Sequence, residues 1–148
     1  MPVFVDRFHV NASVKAVASF HGSTRALRLL TPPPVIVQFH HVEPLAEGSR
    51  SEFTLWFGPL PIRWLAVHSV CDRASGFTDS QERGPMAAWR HRHTWQALPD
   101  GTTEMNEEVT YAHRPGLTGL LTRILFAPPM LALMFAYRRF AIRRGCET

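Results

Sequence analysis

Cysteine is nearly absent from the chain: Cys71 and Cys146 are the only two in 148 residues. Two distant thiols cannot build a disulfide framework, and they lack the clustered spacing of a zinc site. Lysine is scarcer still. Lys15 stands alone, so the net charge of +4 rests on arginine. Those arginines are scattered until the closing "RRFAIRR", so no concentrated basic footprint points to nucleic acid, and none is expected as a partner. There is no low-complexity tract and no repeat at a solenoid-like period. The opening "MPVFVDRFHV" has no charged segment leading into an apolar core, so no signal peptide is expected and the cytoplasm is the expected location. No activated Ser or Cys nucleophile pattern occurs, which argues against hydrolysis.

What is present is an ordinary globular composition, 45% apolar and 19% charged. Residues 1–148 fit one domain, long enough to bury roughly 70% of the surface of the unfolded chain. One stretch, residues 117–137, is long and greasy enough to suggest a membrane span. Arg123 sits within it and Pro128–Pro129 interrupts it, so a buried, kinked C-terminal helix is the expected form.

Residues 3–10 alternate and read as a strand. Asn11 or Ser13 then caps a helix with Val14, Val17, Ala18 and Phe20 on one face. A short helix from about Ser23 to Leu30 is stopped by three prolines. Six further strands follow to residue 112, separated by "PLAEG", "GPLP", "RASG", "RGP" and "PDG". The fold class is therefore α+β: an antiparallel sheet of seven strands, two short helices after the first strand, and a terminal helix to cover the apolar face.

The last hairpin has two possible registers. A two-residue turn pairs Trp95 with Asn106, mixing aromatic and polar residues on one face. A three-residue loop with Gly101 in the left-handed conformation pairs Trp95 with Met105, His93 with Glu107, His91 with Val109 and Trp89 with Tyr111. Because a one-residue slip inverts a strand, the apolar pattern selects the second. On the neighbouring strands Trp64 and His68 share a parity, as do Phe77, Asp79 and Gln81, and a short turn at Gly84–Pro85 brings Asp79 across from His91. The expected inward surface is aromatic, with a polar seam of His68, Asp79, Gln81, His91, His93, Glu107 and Tyr111.

The order of elements and the run "FTDSQERGPMAAWRHRHTW", followed by "DGTTEMNEEVTY", resemble the START/polyketide-cyclase-like (SRPBCC) superfamily, and within it the bacterial cyclase/dehydrase-type ligand-binding branch. The family pattern is F-x-D-x-Q, G-P, W-x-H-x-H-x-F, G-T and an acidic residue shortly before V-x-Y. Trp95 stands where phenylalanine is usual and Glu107 where aspartate is usual, and Pro128–Pro129 lies outside the pattern. The resemblance implies a helix-grip fold, in which the sheet wraps a long C-terminal helix around a hydrophobic cavity. Members include lipid carriers, quinone-binding proteins and polyketide cyclases, so the fold does not supply a reaction.

Three functional readings compete. His91 and His93 with His68 or Glu107 have the makings of a metal set, but i, i+2 spacing occurs in any strand, so no metal and no cofactor are expected. His93 with Glu107, or Asp79 with His91, is a candidate general-base pair for a cyclase or dehydratase. The favoured reading is binding of a hydrophobic small molecule, in a pocket walled by Trp64, Phe77, Trp89, Trp95, Met105, Val109 and Tyr111, with the polar seam orienting the ligand. The arginines at 138, 139, 143 and 144 suit a helix C-terminus, and transient contact with anionic membrane is a lesser expectation for the same tail. The oligomeric state is not fixed, and Trp56 is a candidate contact residue.

Overall fold

The computed structural model describes residues 1–147. In chain order the elements are β1 (Val3–Val10), α1 (Val14–Gly22), α2 (Ala26–Leu30), β2 (Ile36–Val42), β3 (Arg50–Phe57), β4 (Leu60–Asp72), β5 (Gly76–Arg83), β6 (Ala88–Ala97), β7 (Thr103–Ala112), α3 (Gly116–Leu125) and α4 (Pro128–Cys146). The seven strands form one antiparallel sheet in the order β1-β7-β6-β5-β4-β3-β2. Its edges are β1, which closes onto the last strand, and β2, which follows the two short helices. This is the α+β helix-grip arrangement that the sequence suggests.

Local chemistry accounts for the boundaries. Ser13, not Asn11, caps α1, its Oγ accepting from Ala16 N at 3.2 Å. At the last hairpin Gly101 has φ +85°, and Leu98 N donates to Thr102 O at 2.8 Å. The backbone thus takes the three-residue form, with Trp95 opposite Met105, His93 opposite Glu107, His91 opposite Val109 and Trp89 opposite Tyr111. Along β7 every second residue is buried, as that register requires. Asp79 lies opposite His91 on one side and His68 on the other.

The C-terminal segment differs from a single kinked helix. Two helices form, bent by 49° at a break over residues 126–127. Proline has no N–H to donate and its ring clashes with the carbonyl four residues back, so Pro128–Pro129 cannot continue α3. At the first turn of a new helix the same residues are well placed, and there they sit. No single helix among the described residues is long and apolar enough to cross a membrane. On α4 the buried stripe is Leu131, Phe135, Arg138, Ile142 and Cys146, which faces the sheet. The opposite face and most of α3 are exposed, so the segment is only half covered.

Two apolar clusters result. One joins α1 and the end of α4 to Phe8, Val10, Phe77, Trp95 and Met105. The other joins the start of α4 to Phe53, Trp64, Trp89, Val109 and Tyr111. The polar seam lies between them.

Candidate functional site: a cavity with a charge-neutral floor

A cavity of about 340 Å³ lies between the sheet, α2 and α4. Of the residues expected to line it, Trp64, His68, Phe77, Asp79, Trp89, His91 and His93 do so. Trp95, Met105, Glu107, Val109 and Tyr111 are fully or almost fully buried and do not line it, Glu107 lying behind the floor rather than on its surface. Gln81 is placed elsewhere again. Its amide donates to Met86 O and accepts from Met86 N, each at 2.9 Å, and so fastens the β5–β6 turn. Trp56, expected to be exposed, is half-buried and donates from Nε1 to Gln38 Oε1 at 3.0 Å.

The floor is built around His93. Its Nε2 lies 2.7 Å from Asp79 Oδ2 and its Nδ1 lies 3.1 Å from Glu107 Oε1. A neutral imidazole has one N–H and can satisfy one of these acceptors; the imidazolium satisfies both. Burial opposes that charge, but the hydrogen bonds to Asp79 and Glu107 outweigh it and raise the His93 pKa. Glu107 is fully buried and receives Arg138 through Nε at 3.3 Å and a terminal nitrogen at 3.0 Å. Burial pushes the Glu107 carboxyl up, while Arg138 and the two strand histidines hold it well below the usual range. For Asp79, burial is likewise overcome by His93 and the surrounding histidines, and the pKa falls to about 2. Two anions, Asp79 and Glu107, thus meet two cations, His93 and Arg138, and the group is neutral.

Two further histidines border the floor as neutral rings. Burial, then the charge on His93, lowers His91 to about 4 and His21 to about 3. His21 Nδ1–H donates to Val17 O at 2.8 Å, the acceptor one helical turn back. That fixes the tautomer and leaves Nε2 buried without a partner among the described residues. The ring of His91 lies against that of His93, with centroids 3.7 Å apart.

His21 and Arg138 belong to this site yet carry no sequence signal for it. His21 is a polar residue on the apolar face of α1, and only the fold aims it at β6. Arg138 reads as one of a run of tail arginines, but it falls on the buried stripe of α4, seven residues after Leu131.

Two triads, His21/His93/Glu107 and Asp79/His91/His93, place their ligand atoms within 4.8 Å of one another. In both, the carboxylate already faces a cation, so a divalent ion would bring charge for which the floor holds no counterpart. Neither triad includes His68, whose Nδ1 lies 3.0 Å from Ser49 Oγ.

No family model matches the chain, and no curated protein matches it. Solved structures do. A protein of Chromobacterium violaceum is 10% identical with a TM-score of 0.78, over 100% of this chain and 99% of that one. A START superfamily protein from Mycobacterium smegmatis is 10% identical with a TM-score of 0.70, over 98% and 97%. Ginseng major latex-like protein 151 from Panax ginseng is 8% identical with a TM-score of 0.69, over 99% and 98%. The class this defines is that of the START-like helix-grip fold. At such identities the likeness is one of fold.

Proposed function

We propose that the chain binds a hydrophobic small molecule, lipid, quinone or polyketide-like, in the cavity between the sheet and α4, as a cytoplasmic protein. One observation carries this reading: a cavity of about 340 Å³, in the range of small-molecule pockets, walled mainly by apolar residues such as Phe39, Phe53, Trp64, Phe126 and Met134, with a polar floor and a few further polar lining residues, Ser23, Thr24, Thr31, Glu43 and Ser51. Apolar walls supply affinity, and Asp79, which keeps some exposure, is the floor group able to orient a ligand hydroxyl or carbonyl-bearing end. Native mass spectrometry on protein purified without added ligand tests it. A co-purified lipophile, or saturable displacement of an environment-sensitive fluorophore by long-chain compounds, is the expected result; an empty protein that binds no such compound would sink the reading.

The alternative is a cyclase or dehydratase with His93 and Glu107 as its base pair. The alignment of Asp79, His93 and Glu107 is what favours it. Against it, both His93 nitrogens already face carboxylates, so no free lone pair is available to take a substrate proton. His93→Ala and Glu107→Gln separate the two readings. An enzyme loses turnover while ligand affinity persists; a carrier shows no turnover to lose.

A further inference from the structure

The cavity opens between two lips. One is α2 with the proline turn after it, and the other is the α3–α4 corner, since Leu27, Pro33, Leu125, Met130 and Leu133 all line the cavity. Both lips carry large apolar side chains outward: Leu29 and Ile36 on the first, Leu117, Leu120, Ile124, Met130 and Leu133 on the second. Leu117 is 85% exposed and Leu133 65%. Leu117, Leu120 and Ile124 follow i, i+3, i+7, so they form one stripe of α3 rather than scattered single residues.

Charge is segregated in the same way. Residues 7–42 and 109–146 contain no Asp or Glu, and the one acidic residue of the cavity lining outside the floor, Glu43, faces His41 and accepts from Arg50 N. Arg25, Arg28, Arg114 and Arg123 are exposed on or beside them. The tail offers less free charge: Arg138 is paired with Glu107 and Arg139 with Asp6 at 2.6 Å, whereas Arg114 and Arg123, like Arg143 of the tail, reach only backbone carbonyls, those of Gly84, Arg114 and His9. Of the four tail arginines, Arg143 and Arg144 have no carboxylate partner among the described residues.

We propose that the lips of the cavity mouth form a docking face for an anionic lipid bilayer, across which the chain loads and releases its ligand. The proposal rests on the ligand-binding reading for its purpose, not for its test. Exposed leucines and isoleucines enter the acyl boundary while arginines meet lipid phosphates. A second copy of the chain fits this face poorly. A two-fold interface would set four arginines against four arginines, with only Glu43, already held by His41 and Arg50 N, as a nearby carboxylate.

Sedimentation with phosphatidylcholine vesicles, with and without phosphatidylglycerol, tests the proposal. Binding is expected to rise about tenfold or more with the anionic lipid and to weaken with added salt. Leu117→Glu with Ile124→Glu, both outside the cavity lining, should abolish that gain, whereas Arg144→Ala should retain binding within about two-fold. Fluorophore binding in vesicle-free buffer, measured in parallel, reads the cavity alone and should be unchanged in the double variant. Three results would overturn the proposal: no binding of the native chain to anionic vesicles, binding by the double variant equal to the native chain, or a dimer that the double variant disperses. Loss of fluorophore binding with vesicle binding intact would instead remove the cavity reading and leave the docking face standing.

Discussion

Glu107 is the most demanding residue of the chain, a fully buried carboxylate that accepts from Arg138 and faces the imidazolium of His93. Taking away its charge leaves the Arg138 guanidinium without a counter-ion in a dry interior and His93 with Asp79 as its one anionic partner. Glu107→Gln is therefore expected to cost about 3–5 kcal/mol, read from urea unfolding. Replacing both members of the ion pair with apolar side chains, Glu107→Leu with Arg138→Met, should recover part of that loss, since well-packed hydrophobes replace buried pairs at little cost. If the double variant is no more stable than Glu107→Gln, the desolvated charge is not what destabilises the single one. The carboxylate and its strand histidine were legible in the sequence because strand parity places them on one face. Arg138 was not, because four arginines in one tail look alike until the helix is docked and one of them points inward.

The two faces of α4 make the same point for an element. Leu131 and Leu133 are two residues apart, yet one is fully buried and the other is 65% exposed. Leu131→Ala should cost about 2–5 kcal/mol, and Leu133→Ala within about 0.5 kcal/mol, compared by thermal or urea unfolding. Equal costs would mean that the helix packs in a different rotation. Gly101 tests the last hairpin in the same way. Its φ of +85° admits an L side chain only with strain, so Gly101→Ala should destabilise by about 1–2 kcal/mol. The hairpin register was legible because two signals agreed, a glycine at the left-handed position and an apolar face that only one pairing unites. The double proline announced a bend for the same kind of reason. What it did not announce was which side of α3 faces solvent, since an apolar stripe in sequence says only that a face exists.

For the molecule as a whole, the histidines make stability depend on pH in both directions. His21 and His91 are buried as neutral rings, at about 3 and about 4, below their ordinary 6.5. As pH falls below 6.5 the unfolded chain takes up protons that the folded chain refuses, and stability drops on the order of 1 kcal/mol per pH unit for each ring. His93 works the other way. Its raised pKa gives stability that is full at and below 6.5 and is lost as pH climbs through the higher folded value. Thermal unfolding across pH should thus show a maximum near neutrality, with an acid limb that becomes shallower in His21→Leu. A limb of unchanged slope would mean that His21 is not buried as a neutral ring. The neutral floor also has a meaning for the occupant of the cavity. Two anions and two cations in alternation cast only a short-range, multipolar field, which orients a dipole but does not reward a net charge. An ionised head group would surrender its hydration and find no spare counter-ion beneath it. Under the proposed binding function, a long-chain alcohol should therefore bind more tightly at neutral pH than the carboxylate of the same length, measured by competition for the same fluorophore; equal affinities would mean that the floor does not discriminate by charge.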